Sequence, residues 1–314
     1  MSIKSLDFYS YFFCPYALRS LIAISEAQLA NKLPKFSTVD KLTNFRYHEI
    51  DLHKDKQKEA SFLAINPQHK VPVLKIELDD GTTFHINESL VLNEFIQEHF
   101  HNDLIPKGRN ELETATRKAQ SRIWISYFDS NIPGVFNKIL FEKPTKERVM
   151  SELLPQIQEK LSFLAQHGFR VNNDESGSFF FGSNFSLIDA ALYPFLSRID
   201  IILRRKFQTD LFETVPALAK NGVDVQQDLL VWKQWLSAAK ERQSAKWSSY
   251  EPLFVPEATY ANMLRKELTG EEVEDSNRGD EISRNELNTH GFDYEKYFLK
   301  GLELLSEKLA QQKK

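Results

Sequence analysis

Residues 66–100, NPQHKVPVLKIELDDGTTFHINESLVLNEFIQEHF, carry the signals that decide the fold. Residues 71–77 are an apolar run bounded by turn formers and read as a strand. Asp79-Asp80-Gly81 is a hairpin turn, and residues 82–86 return as a second strand. Asn87 stands where it would cap a helix whose apolar stripe is Leu90, Val91, Phe95 and Ile96.

Toward the N-terminus, residues 6–13 (LDFYSYFF) read as a short buried strand. From Pro15, which suits a first helical turn, Ala17, Leu18, Leu21, Ile22 and Ile24 recur at helical spacing up to about Leu29. Residues 31–43 are polar, contain Pro34 and read as a loop. Residues 45–52 (FRYHEIDL) alternate as a strand, and residues 54–65 read as a charged amphipathic helix. The order β-α-β-α-β-β-α is that of a thioredoxin-like α/β domain with a mixed sheet, over residues 1–102.

Toward the C-terminus strand signals almost vanish. Helical patterns over residues 111–129, 146–166, 187–206 and 225–241 predict an all-α domain over 111–254. Residues 255–314 form a C-terminal extension. It holds a helix to about Leu268, an acidic linker over 270–280, and an amphipathic helix over 294–309 with Phe298, Leu302, Leu305 and Leu309 on one face.

Composition narrows the class. With 41% hydrophobic and 27% charged residues in 314, the chain reads as soluble and globular, with length for two cores. A net charge of −4 gives no general attraction to nucleic acid or an anionic membrane, so neither is an expected partner. The single cysteine excludes an internal disulfide and a cysteine-rich zinc site, and suits a reducing compartment. Residues 1–7 lack a signal-peptide pattern and no run approaches membrane-spanning length, so a cytoplasmic protein is expected. His99 and His101 lie close together without a carboxylate to complete a metal set, and no metal is expected. Arg204-Arg205-Lys206 reads as favourable charge at a helix C-terminus.

Three short motifs in the first domain carry chemistry. Cys14 stands at a strand-to-helix turn, where the helix dipole and backbone N–H groups favour thiolate, the nucleophilic form. A buried, inert cysteine is the alternative, and the motif alone leaves the two evenly matched. Ala17 occupies the position a second thiol would need, so redox chemistry here passes through a mixed disulfide resolved by an outside thiol. Val71-Pro72 fits a cis peptide that exposes the Val71 backbone to an extended ligand; a plain edge-strand proline is the commoner reading of such a dipeptide. Glu88-Ser89 at a helix N-terminus suits either a carboxylate seat or simple capping.

In this order and spacing the three motifs resemble the glutathione transferase superfamily, and FGSNFSLIDAALYPFL (residues 181–196) resembles its helical-domain signature. There Ser186 and Asp189 look like the family's buried capping pair, a folding feature. YSYFFCPYALR (residues 9–19) looks most like the omega class, whose members carry a catalytic Cys-Pro. The resemblance covers residues 6 to about 250 and implies a glutathione transferase fold with an extra C-terminal helical segment.

It also implies roles. Cys14 would be the catalytic thiol, forming a mixed disulfide with glutathione, the co-substrate. Val71, held by cis Pro72, would pair with the cysteinyl part; Glu88 and Ser89 would bind the γ-glutamyl end. Lys58 would hold the glycyl carboxylate, with Lys56 the alternative. Phe13 would pack beside the thiol, and Tyr9 would support the site. Trp124, Tyr127 and Phe128 either line a second-substrate pocket or pack in the core. The implied protein is a homodimer performing thiol transfer or reduction, such as deglutathionylation or dehydroascorbate-type reduction. The long loop over 31–43 and the C-terminal extension depart from the family pattern and leave the second substrate open. A binding or regulatory module of the same fold is the alternative from another class. A glutathionyl-hydroquinone reductase is the alternative enzyme, although Tyr16 stands where such enzymes carry tryptophan.

Overall fold

The computed structural model describes residues 2–11, 14–34, 44–100, 104–173, 177–220 and 225–248. The C-terminal extension, with its expected linker and amphipathic helix, lies outside them. The described residues divide into two compact units, one of residues 2–95 with 246–248 and the other of residues 96–245.

The first unit is the expected α/β domain. Strands β1 (Ile3–Ser10), β2 (Phe45–Glu49), β3 (Val73–Leu78) and β4 (Thr83–Asn87) form one mixed sheet in the order β2-β1-β3-β4. β1 runs parallel to β2 and antiparallel to β3, and β3 is antiparallel to β4. Helix α1 (Pro15–Leu29) follows β1, α2 (Ala60–Leu63) precedes β3, and α3 (Ser89–Phe100) follows β4. Leu6, Phe8, Phe45 and Tyr47 are buried on one sheet face, while Asp7, Tyr9, Arg46 and His48 alternate onto the other. The β3–β4 hairpin closes at Gly81, whose φ of +86° suits glycine, and the Asp80 carboxylate accepts from the Thr82 N–H.

Three expectations need correction. Residues 54–65 do not form one amphipathic helix. They hold 3₁₀ turns at Leu52–Lys54 and Lys56–Lys58 and then the single turn of α2. Asp55 at φ 57° and the extended Glu59 break the helical path, and Phe62 is the one fully buried side chain of the segment, too little apolar surface to hold a longer helix. β1 runs from Ile3 to Ser10, earlier than residues 6–13, because Ile3 already pairs with Leu78 on β3. Asn87 is no cap residue; it ends β4, paired with Val73.

The second unit is helical. α4 (Glu111–Asn131) is capped by Asn110, whose side chain accepts from Glu113 N–H at 2.8 Å. α5 (Pro133–Phe141) was not foreseen; it follows α4 at once, with Pro133 in its first turn. α6 (Lys146–Arg148), α7 (Leu154–Leu164) and α8 (Arg170–Asn172) run on through π-helical segments Val149–Leu153 and Ala165–Phe169. α9 (Leu187–Phe207) packs against α4 and α11 (Gln226–Lys240), with α10 (Pro216–Lys220) and α12 (Gln243–Ser248) completing the set. The predicted helices over 111–129, 187–206 and 225–241 match α4, α9 and α11 to within two residues at each end.

α9 is buried along most of its length, including Tyr193, Phe195 and Leu196. Its N-terminus is tied by a capping box. Asp189 accepts from the Ser186 N–H (2.8 Å) and hydroxyl (2.7 Å), and also from the Phe180 N–H (3.0 Å) and the Trp235 indole (2.7 Å). Ser186 and Asp189 therefore hold the helical core, as the sequence implied. Among the described residues no helix is long and apolar enough to cross a membrane.

Candidate functional site

Strand register brings the three sequence motifs to one end of the sheet. Tyr9 on β1 faces Val73 on β3, and Val73 faces Asn87 on β4. The antiparallel pairings carry the chain onward past Ser10, backward to Pro72 and Val71, and onward to Glu88 and Ser89, all beyond the same sheet end. β4 and β1 run in the same direction, so α1 and α3 both begin there. The Ser20 hydroxyl of α1 donates to the Ser89 carbonyl of α3 at 3.3 Å, and the Asn93 amide donates to the Arg19 carbonyl at 3.3 Å. These bonds hold the two helix N-terminal halves side by side.

Cys14 is the residue immediately before α1, in extended conformation (φ −83°, ψ 114°), with Pro15 as the first helical residue. Its N–H donates to the Tyr11 carbonyl at 2.8 Å and its carbonyl accepts from Leu18 at 3.0 Å, which fixes the backbone that carries the thiol. The residue is half-buried, so the thiol is not sealed in the core. The first-turn N–H groups and the positive end of a 15-residue helix lie on its side of the turn. That arrangement favours thiolate, and thiolate attacks sulfur.

The Val71–Pro72 peptide is cis. Both residues are buried, at the entry to β3. The loop leading to them is closed by Asn66, a residue that motif reading passed over. Asn66 is 2% exposed; its amide donates to the Lys70 carbonyl at 2.8 Å, and its side-chain oxygen accepts from the Gln68 N–H at 3.1 Å. The Asn-Pro step at 66–67 was the available signal, since asparagine commonly closes a turn two residues on.

Glu88 is exposed and sits at φ 65°, the left-handed region that non-glycine residues rarely adopt. Ser89, by contrast, is 6% exposed and opens α3. Lys56 and Lys58 share one 3₁₀ turn at the surface; Lys56 pairs with Glu59 at 2.6 Å and Lys58 with Asp55 at 2.9 Å. Phe13 lies outside the described residues.

Tyr9 stacks on His48 (ring centroids 4.6 Å apart, planes 14° apart) and meets Phe62 edge-on at 6.1 Å. Burial, and then the neighbouring Asp7 carboxylate, push the Tyr9 phenol above its ordinary value, so it is a neutral hydroxyl at neutral pH. Asp7 accepts from Arg46 at 2.5 and 2.7 Å and lies 2.7 Å from His48 Nε2. Sequence reading missed this cluster because the partners come from two strands far apart in the chain.

In the second unit Phe128 is fully buried, edge-to-face with Phe195 at 5.7 Å, the packing role its helical spacing also allowed. Trp124 and Tyr127 are half-buried and extend into an aromatic group with Phe163 and His167. The π-helical segment there brings Gly168 beneath Trp124, where a Cβ would lie 3.0 Å from the indole. No group of three or more metal-ligating side chains occurs among the described residues.

Comparison with known proteins gives two family matches: the glutathione S-transferase N-terminal domain over residues 13–99 and the glutathione S-transferase C-terminal domain over residues 147–220. Among solved structures, glutathione transferase Omega 3C from Trametes versicolor is 25% identical with a TM-score of 0.51, over 78% of this chain and 88% of that one. A bacterial zeta-class glutathione transferase, maleyl pyruvate isomerase, is 18% identical (TM-score 0.51) over 77% of this chain and 96% of that one. The trimeric glutathione transferase TDR1 of Leishmania is 17% identical (TM-score 0.56) over 78% of this chain. The match covers 46% of that protein, so this chain spans under half its length. The last two likenesses are of fold.

Proposed function

Because this chain belongs to the glutathione transferase superfamily, we propose that it is a cysteine-type, omega-like member that transfers glutathionyl groups through Cys14. The observation that carries the reading is the placement of Cys14 at the N-terminus of α1, at the sheet end it shares with cis Pro72 and Glu88-Ser89. Glutathione is the co-substrate. The Val71 backbone pairs with its cysteinyl part, Glu88 and Ser89 take its γ-glutamyl end, and Lys58 or Lys56 neutralises its glycyl carboxylate.

The Cys14 thiolate attacks the glutathionyl sulfur of a mixed disulfide, forming Cys14–S–SG and releasing the substrate thiolate. A second glutathione thiolate then attacks the bound glutathionyl sulfur, leaving oxidised glutathione and restoring the Cys14 thiolate. Ala17 supplies no second thiol, so the resolving sulfur is glutathione's own. Dehydroascorbate-type oxidants are a second substrate class, reduced at the expense of two glutathione molecules. The active form is a homodimer in the cytoplasm, where the lone thiol stays reduced.

Mass spectrometry of the full chain treated with oxidised glutathione tests this. One glutathionyl adduct on Cys14, removed by added reduced glutathione, is expected. A chain that takes no adduct, or one that reduced glutathione cannot discharge, sinks the mechanism.

A further inference from the structure

We propose that Asn66 is a positioning residue for the glutathione site, clamping the loop that presents the Val71 backbone; this rests on the function proposed above. Each of its polar groups bonds within residues 62–70. The backbone N–H donates to Phe62 O at 2.8 Å, at the end of α2, and the carbonyl accepts from His69 N–H at 3.1 Å. The side-chain amide and oxygen hold Lys70 O and Gln68 N–H. Three of these bonds fold residues 66–70 onto Asn66, two of them through its buried side chain, and His69 stands at φ 57°.

The next residue is Val71, whose cis bond to Pro72 decides where its N–H and C=O point. Lys70 and Val71 share a peptide unit, so the bond from Asn66 to the Lys70 carbonyl orients the N–H that Val71 would offer a ligand. The same Asn66 oxygen also lies 3.5 Å from the Asn87 amide, a long contact to the residue that precedes Glu88. Asn66 therefore stands between the strand entry that pairs with the cysteinyl part and the turn that seats the γ-glutamyl end. It holds nothing at Cys14, whose backbone is fixed by Tyr11 and Leu18.

Asn66→Asp tests this with little change of volume. It keeps the acceptor for Gln68 but sets a carboxylate oxygen against the Lys70 carbonyl. Asn66→Ala removes both bonds. In the full chain, both variants are expected to weaken glutathione binding, measured calorimetrically, by roughly tenfold or more. The rate of Cys14 alkylation by iodoacetamide should stay within about twofold of the unaltered chain, because the helix N-terminus is untouched. Unchanged affinity, or affinity and alkylation falling together as in a general loosening, overturns the positioning role. If neither variant folds, amide exchange in the unaltered chain decides: saturating glutathione should slow exchange of the Gln68 N–H, and unchanged exchange overturns the proposal. An unaltered chain with no glutathione affinity overturns the functional reading and this inference with it, whereas binding insensitive to Asn66 overturns this inference alone.

Discussion

Asp7 on β1 accepts two hydrogen bonds from the Arg46 guanidinium on parallel neighbour β2, at 2.5 and 2.7 Å, from a position only 3% exposed. Burial alone pushes the Asp7 carboxyl up. The hydrogen bonds from Arg46 and His48, with their charges, outweigh burial and hold it well below the usual carboxylate range. A carboxyl depressed in the folded state stabilises the fold above its unfolded value, about 3.9, and that contribution is lost as pH falls below it. The urea midpoint should therefore drop on acidification below about pH 4. Asp7→Asn should lose about 2 kcal/mol at neutral pH and show a shallower acid profile. An unchanged acid profile in the variant counts against the assignment.

Cys14→Ala should lower deglutathionylation by roughly three orders of magnitude or more, since no other protein thiol can carry the mixed disulfide. Conjugation of glutathione to chlorodinitrobenzene should be weak in the unaltered chain and gain in Cys14→Ser, where a hydroxyl can hold glutathione's own thiolate. Thiol-transfer assays on both variants check this, and a Cys14→Ala rate equal to the unaltered chain's rules the mechanism out.

Glu88 keeps a left-handed backbone (φ 65°) at the start of α3, a conformation that costs a non-glycine residue about 1–2 kcal/mol. Glu88→Gly should therefore raise stability by up to about 1 kcal/mol, after the unfolded-chain entropy of glycine is allowed for. The same change removes the carboxylate and should reduce retention on immobilised glutathione. Denaturation midpoints and column retention moving in opposite directions is the expected signature.

Asp189 is buried and accepts from Ser186, Phe180 and Trp235, tying α9, its approach loop and α11. Burial pushes its carboxyl up, against the hydrogen bonds that favour the charged form. Asp189→Ala leaves several buried donors without an acceptor and should cost about 3 kcal/mol or more. Urea unfolding followed by the fluorescence of buried Trp232 and Trp235 reads this directly. A loss below about 1 kcal/mol would show that the cap is dispensable.

Much of the fold is local and was therefore legible. The hairpin turn at Gly81, the proline at the start of α1 and the long apolar stripes of α4, α9 and α11 depend on residues within a few positions of one another. Residues 54–65 failed because helical spacing of charges does not supply buried surface, and Asp55 and Glu59 break the path. The motifs at Cys14, Val71-Pro72 and Glu88-Ser89 were also readable, each as a local pattern with a plain structural alternative.

By itself the sequence determined that this is an α/β domain followed by a helical one, with a single thiol at a strand-to-helix turn. Only the tertiary structure decided that the Val71–Pro72 bond is cis, that Glu88 is left-handed, and that one sheet end gathers all three motifs. It also decided the partners of Asp7. Its partners Arg46 and His48 are brought to it by strand register, which no run of neighbouring residues along the chain reveals.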